Sequence, residues 1–185
     1  AQHRSIQPAH LVFSTSPLQP DLADSIASIP GVKAAEARRK MRVRLLEDRA
    51  TDSWGELFLF TLPDFEDQRV DKILWVSGAW PPPRNTLIME RGSLDYLSLH
   101  EGQQITVKTS DGREHDLSIS GVGHDLYHMP AVLEGYVYGY ITDDTLEKLG
   151  LEIAYNELYV RLDGNVHDPA YVRAVKEHIT DHLED

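Results

Sequence analysis

The stretch Gly123-His124-Asp125-Leu126-Tyr127-His128 gathers two imidazoles and a carboxylate within five residues. Two histidines four apart on a helix share a face and can hold a divalent cation. Gly121, Gly123 and Pro130 mark this stretch as a loop, where that spacing fixes no geometry. No glutamate stands beside His124 to act as a hydrolase base. The expectation is exposed loop histidines that merely titrate, with a metal-dependent hydrolase on His124, Asp125 and His128 as the enzyme alternative. His178 and His182 are also four apart, but with Asp181, Glu184 and Asp185 around them they read as a solvated terminal turn. The chain has no cysteine, which excludes disulfides, thiolate zinc sites and thiol nucleophiles. There is no Gly-x-Ser-x-Gly elbow, no phosphate-cradling glycine loop and no legible pair of facing carboxylates. No catalytic residue, metal or cofactor is expected.

Binding chemistry has better candidates. Arg38, Lys40, Arg42 and Arg44 alternate with Met41, Val43 and Leu45, so a strand would carry them on one face. Residues 33–49 hold seven Lys or Arg and three Asp or Glu, a net charge of +4 in an acidic chain. Such a stripe can meet anionic head groups or an acidic partner; a solvated face that discourages edge aggregation is the simpler reading. Tyr136, Tyr138 and Tyr140 share a strand face and offer either a partner surface or cross-strand packing. Trp80, before Pro81-Pro82-Pro83, is an exposed anchor or a plug over a second lobe.

The elements that position these residues follow from length and pattern. A chain of 185 residues can bury a real core, as one domain or two subdomains. Lys plus Arg is 18 against 30 Asp plus Glu, a net charge of −12, which argues against nucleic-acid binding as the main task. The longest mostly apolar stretch, Val132 to Ile141, is far too short to span a bilayer. Ala1-Gln2-His3-Arg4 does not read as a signal peptide.

The opening reads strand, helix, strand: Ala9 to Ser14, then Leu22, Ile26 and Ile29 at helical spacing with Pro20 in the first turn, then Val32 to Leu46. The end reads strand, helix, strand, helix: Tyr136 to Ile141, a helix after Thr142 stopped by Gly150, Tyr155 to Leu162, and a final helix after Asp168-Pro169. Between them lie short strands, with Asp111-Gly112 as a hairpin turn. The fold class expected is α+β: a split, ferredoxin-like βαβ subdomain from residues 1–55 and 134–185, with a β-rich subdomain, 56–133, inserted.

Three segments, in order, resemble a known family. They are Ile26-Ala27-Ser28-Ile29-Pro30-Gly31-Val32, then the run from Leu87 to Val107 with Glu90-Arg91-Gly92-Ser93-Leu94 and His100-Glu101-Gly102, then Asp111-Gly112 followed by Leu117 to Gly123. Together they resemble the extracytoplasmic core domain of MacB/FtsX-type ABC transporter permeases, over roughly residues 9–183. The resemblance implies a porter-like subdomain with an inserted β-rich one, and a membrane protein whose domain lies on the extracytoplasmic side. It implies a non-catalytic role: coupling cytoplasmic ATP hydrolysis to export, lipoprotein handling or activation of a partner. The implied partners are the permease's own transmembrane helices, a cytoplasmic ABC ATPase, a second permease copy, and an adaptor, lipoprotein or peptide substrate. It also implies that Ala1 and Asp185 emerge close together. A freestanding extracytoplasmic binding module is the alternative.

Overall fold

Period-two alternation builds most of this molecule, and the strands it builds are longer and more closed than the pattern alone suggests. The computed structural model describes residues 7–19 and 21–184; Pro20, expected in the first helical turn, lies outside them, as do Ala1 and Asp185. The element order is β1 (Leu11–Leu18), α1 (Leu22–Ala27), β2 (Val32–Asp48), β3 (Ser53–Thr61), β4 (Leu74–Gly78), β5 (Thr86–Glu90), α2 (Arg91–Leu97), β6 (Gln104–Lys108), β7 (Glu114–His124), α3 (Ala131–Glu134), β8 (Val137–Ile141), α4 (Asp143–Lys148), β9 (Tyr155–Leu162) and α5 (Pro169–Glu184).

The two chain ends form an α+β frame. β9 lies between β1 and the first part of β2, antiparallel to both. Ile26 of α1 and Val175 and Ile179 of α5 pack on Ala35, Ala37, Leu158, Val160 and Leu162 of the strands. Small residues at 35 and 37 let the helices sit close. Gly31 has φ +92°, and a Cβ there would stand 2.8 Å from Val175 Cγ2. β1 continues through Pro17, past the expected end at Ser14. An edge strand tolerates a proline because one row of its N–H groups has no ladder to serve.

The lobe is a small barrel. β2 pairs with β3, β3 with β8, β8 with β5, β5 with β7, β7 with β6, and β6 returns to β2 through Arg44↔Lys108 and Leu45↔Val107. Met41, Val43, Leu45, Leu57, Leu59, Leu87, Met89, Val107, Leu117 and Ile119 fill its interior. Each such side chain contributes roughly 1.5–3 kcal/mol on burial. Gly139 makes the fit possible, since a Cβ there would stand 2.8 Å from Leu87 Cδ1. β4 pairs with β7 outside the ring.

β2 joins the two parts. Its 17 residues span roughly 55 Å at 3.3 Å per residue. Val32 to Arg38 pair with β9, and Arg39 to Asp48 pair with β3. Strand pairing therefore divides frame from lobe within β2, and the chain rejoins the frame at Tyr155. Residues 39–55 and 134–154 pack with the inserted lobe.

The expected closeness of the termini concerns residues outside the described ones. Near them, the chain enters beside Leu162, whose N–H donates to His10 Nδ1 at 2.8 Å. α5 ends by Pro17, Leu18 and Ser25, at the other end of β1.

Candidate functional site

The outer face of the barrel carries the candidate residues. Register places Lys40, Phe60, Tyr140 and Ile88 in one row, and Arg42, Phe58 and Tyr138 in the next. Two segments, 63–73 and 124–136, cover one part of this face and leave the rest in solvent.

Under the cover lies a second core of Phe60, Leu62, Phe65, Ile73, Ile88, Tyr138 and Tyr140. Tyr138 and Tyr140 are buried there. Of the two readings open for them, this removes the partner surface and leaves cross-strand packing: they form a ladder, with Tyr140 stacked 5.9 Å from Phe60 and Tyr138 6.1 Å from Phe58. Tyr136, just before β8, stays half-exposed, with its edge on Phe58 at 5.2 Å. Trp80 is the plug rather than the anchor. It meets Phe65 edge-on at 5.2 Å and its indole N–H donates to the Phe65 carbonyl at 3.1 Å. Trp75, which the sequence reading passed over, is the exposed one, at 58 %.

Where β2 crosses from frame to lobe, charges are buried. Arg38 is 1 % exposed, so it is not part of a surface stripe. Its Nε donates to Glu36 Oε1 at 2.8 Å, and one Nη donates to the carbonyls of Val70 at 2.6 Å and Asp71 at 3.1 Å. The guanidinium also stands 4.6 Å over the Tyr159 ring. Glu36 Oε2 accepts the Arg69 N–H at 2.6 Å. Burial works against the charge on Arg38, but the Glu36 carboxylate outweighs it and raises the pKa above its ordinary value. Glu157 accepts the Tyr159 hydroxyl and lies 3.8 Å from Lys40 Nζ. Lys40 is half-buried over Phe58, at 4.8 Å.

Asp125 pins segment 124–136 to the same joint. Its Oδ1 accepts the Tyr127 N–H at 2.7 Å, its Oδ2 lies 2.7 Å from His128 Nδ1, and it also accepts the Tyr140 hydroxyl. Burial acts to raise its pKa, but the His128 ring, the Tyr140 hydroxyl and the Tyr127 amide prevail and hold it down at about 2. Asp71 behaves oppositely. Burial raises its pKa more than the Ala9 N–H, at 2.8 Å, and Arg38 lower it, and its Oδ2 has no hydrogen-bond partner among the described residues.

The two loop histidines are partly buried rather than exposed as expected, and they face different partners. His124 Nδ1 lies 3.4 Å from Glu90 and its Nε2 3.3 Å from Arg91, while His128 sits between Phe60 and Tyr138. Among the described residues no three His, Asp or Glu side chains are placed to hold a metal ion. The contacts join the parts here: Arg38 and Tyr159 of the frame meet segment 63–73, and segment 124–136 meets Tyr140 of the barrel through Asp125 and Tyr159 through Tyr127. Glu36, two residues before Arg38, was the readable signal, since residues i and i+2 of a strand share a face.

Arg42 and Arg44 lie beyond the cover and are exposed. Arg42 reaches Glu56 at 3.3 Å, and Arg44 stands 5.7 Å from the centroid of the Trp54 ring. No helix among the described residues is long and apolar enough to cross a membrane.

No protein-family model matches the chain, and no curated protein matches it. Solved structures do. The periplasmic region of MacB from Actinobacillus actinomycetemcomitans is similar with a TM-score of 0.54 and 10 % identity, covering 94 % of this chain and 83 % of that one. The extracellular domain of the noncanonic ABC-type transporter YknZ from Gram-positive bacteria is similar with a TM-score of 0.56 and 10 % identity, covering 92 % of this chain and 91 % of that one. At that identity the likeness is one of fold. It extends over frame and lobe together, in keeping with the α+β architecture expected.

Proposed function

We propose that this chain is the extracytoplasmic domain of a MacB-like ABC transporter permease. The observation that carries the reading is a whole-domain likeness: frame and inserted lobe match domains of two transporters over more than nine-tenths of this chain. The role is non-catalytic, with ATP hydrolysis in a separate cytoplasmic domain or subunit and no cofactor held here. The frame takes up movement from the permease's transmembrane helices, and β2, locked at Arg38, carries it to the lobe. The lobe then acts on an adaptor, lipoprotein or peptide outside the membrane, in a permease that pairs with a second copy.

Two measurements on the full-length protein test this. A hydropathy scan of the complete reading frame is expected to show apolar segments of about 20 residues on both sides of this domain. A single cysteine at Ala50, in the exposed turn after β2, is expected to react with a membrane-impermeant maleimide in intact cells. No apolar segments, or labelling only after lysis, would overturn the reading.

A further inference from the structure

We infer that the uncovered end of β2 is a binding groove for an extended acidic peptide segment of a partner protein. The groove, about 500 Å³, lies between β2, β3 and the β6–β7 turn, lined by Arg42, Arg44, Trp54, Glu56, Lys108 and Ser110. The inference concerns this surface alone and stands whether or not the chain belongs to a permease.

The first observation is a pair of like charges in register. Arg44 and Lys108 sit directly opposite one another where β6 closes the barrel. Like charges placed so are destabilising, and barrels have no need of them. Both flank one indole: Lys108 Nζ stands 4.0 Å from the Trp54 ring centroid and Arg44 5.7 Å. Lys108 has Glu114 at 3.8 Å, whereas Arg44 has no carboxylate within 4.0 Å among the described residues. An anion bridging Arg44 and Lys108 would turn the repulsion into two attractions.

The second observation is spacing. Arg42 and Arg44 share a strand face two residues apart, roughly 7 Å along the chain. An extended peptide with acidic residues at alternate positions repeats its carboxylates at the same interval. Guanidinium groups meet carboxylates as planar forks, which rewards that match.

The third observation selects a narrow ligand over a charged plane. Residues outside 33–49 carry a net −16, and acidic side chains edge the groove, with Glu56 beside Arg42, Asp52 beside Trp54 and Glu114 beside Lys108. A flat anionic bilayer would press on that rim and be repelled. A single strand of peptide reaches the cations and leaves the rim in water, within a screening length of about 8 Å.

The test titrates the ¹⁵N-labelled chain with a five-residue peptide bearing glutamate at its first, third and fifth positions, following the three indole N–H resonances. A saturable shift of Trp54, with Trp75 and Trp80 unmoved, is expected, weakening at least tenfold in Arg44→Glu and falling as salt rises. Arg44→Ala, which adds no repulsion, is expected to weaken binding less, and an unmoved Trp80 resonance reports that each variant is folded. No saturable Trp54 shift, or equal affinity in Arg44→Glu, would overturn the inference. So would tight binding to phosphatidylglycerol vesicles that the peptide fails to displace, because the occupant would then be an anionic membrane.

Discussion

Arg38 and Arg44 stand on the same strand, on the same face, six residues apart, and their fates are opposite. Arg38 is sealed with Glu36, Tyr159 and two backbone carbonyls, while Arg44 lies in solvent beside Trp54. Strand alternation fixes which face a side chain takes, and it says nothing of what covers that face. The cover comes from segments 63–73 and 124–136, far away in sequence. It converts one end of a basic stripe into a structural joint and leaves the other as a surface.

The largest expected contrast is between truncations at these two positions. Arg38→Ala strands the Glu36 carboxylate and the Val70 and Asp71 carbonyls in the interior, at a cost of about 3–5 kcal/mol in urea unfolding. Arg44→Ala is expected to change stability by no more than about 0.5 kcal/mol. Equal losses would erase the distinction between joint and surface.

Asp125→Asn comes next. Its carboxyl titrates at about 2 in the folded protein against an ordinary 3.8, so ionised Asp125 stabilises the fold above pH ~4, and that contribution is lost as pH falls toward 2. The substitution is expected to cost about 2 kcal/mol at pH 7 and progressively less across that acid window. A loss independent of pH would show that the carboxylate's charge is not what pins segment 124–136.

The covered and uncovered tryptophans sharpen the same comparison. Trp80→Phe removes the hydrogen bond to the Phe65 carbonyl and is expected to cost about 1 kcal/mol. Trp75→Phe, on the exposed edge, is expected to leave the unfolding midpoint within error. The smallest effect has the opposite sign. Asp71 has a raised folded pKa, so its contribution is most favourable below the unfolded carboxyl pKa and is lost as pH rises through the folded value. Asp71→Asn keeps the oxygen that accepts from Ala9 and is expected to stabilise slightly at pH 7, with the gain vanishing at acid pH. A gain that grew on acidification would reverse that sign.

Much of the fold was legible because local chemistry wrote it. β9 runs from Tyr155 to Leu162 as its alternation indicates, α5 begins at Pro169 after Asp168, and Gly112 turns the β6–β7 hairpin with φ +82°. Closure of the barrel was not legible, since it rests on two β6 residues meeting β2 some sixty positions earlier. The division of frame from lobe within β2 was hidden for the same reason, because an uninterrupted alternation gives no sign of a change of neighbour. The site was half legible. The residue types on the stripe and the tyrosine ladder were visible, but burial of Arg38, Tyr138 and Tyr140 depended on loops whose course no pattern specifies.

The joint is tested most directly by a distance. The chain has no cysteine, so spin labels at Ala50→Cys, in the turn after β2, and Glu177→Cys, on the exposed side of α5, report the separation of lobe and frame without interference. A single narrow distance distribution is expected in the native background, broadening markedly when Arg38→Met is added. A broad distribution in the native background, or a narrow one that Arg38→Met leaves unchanged, would contradict a charged joint that holds the two parts as one body.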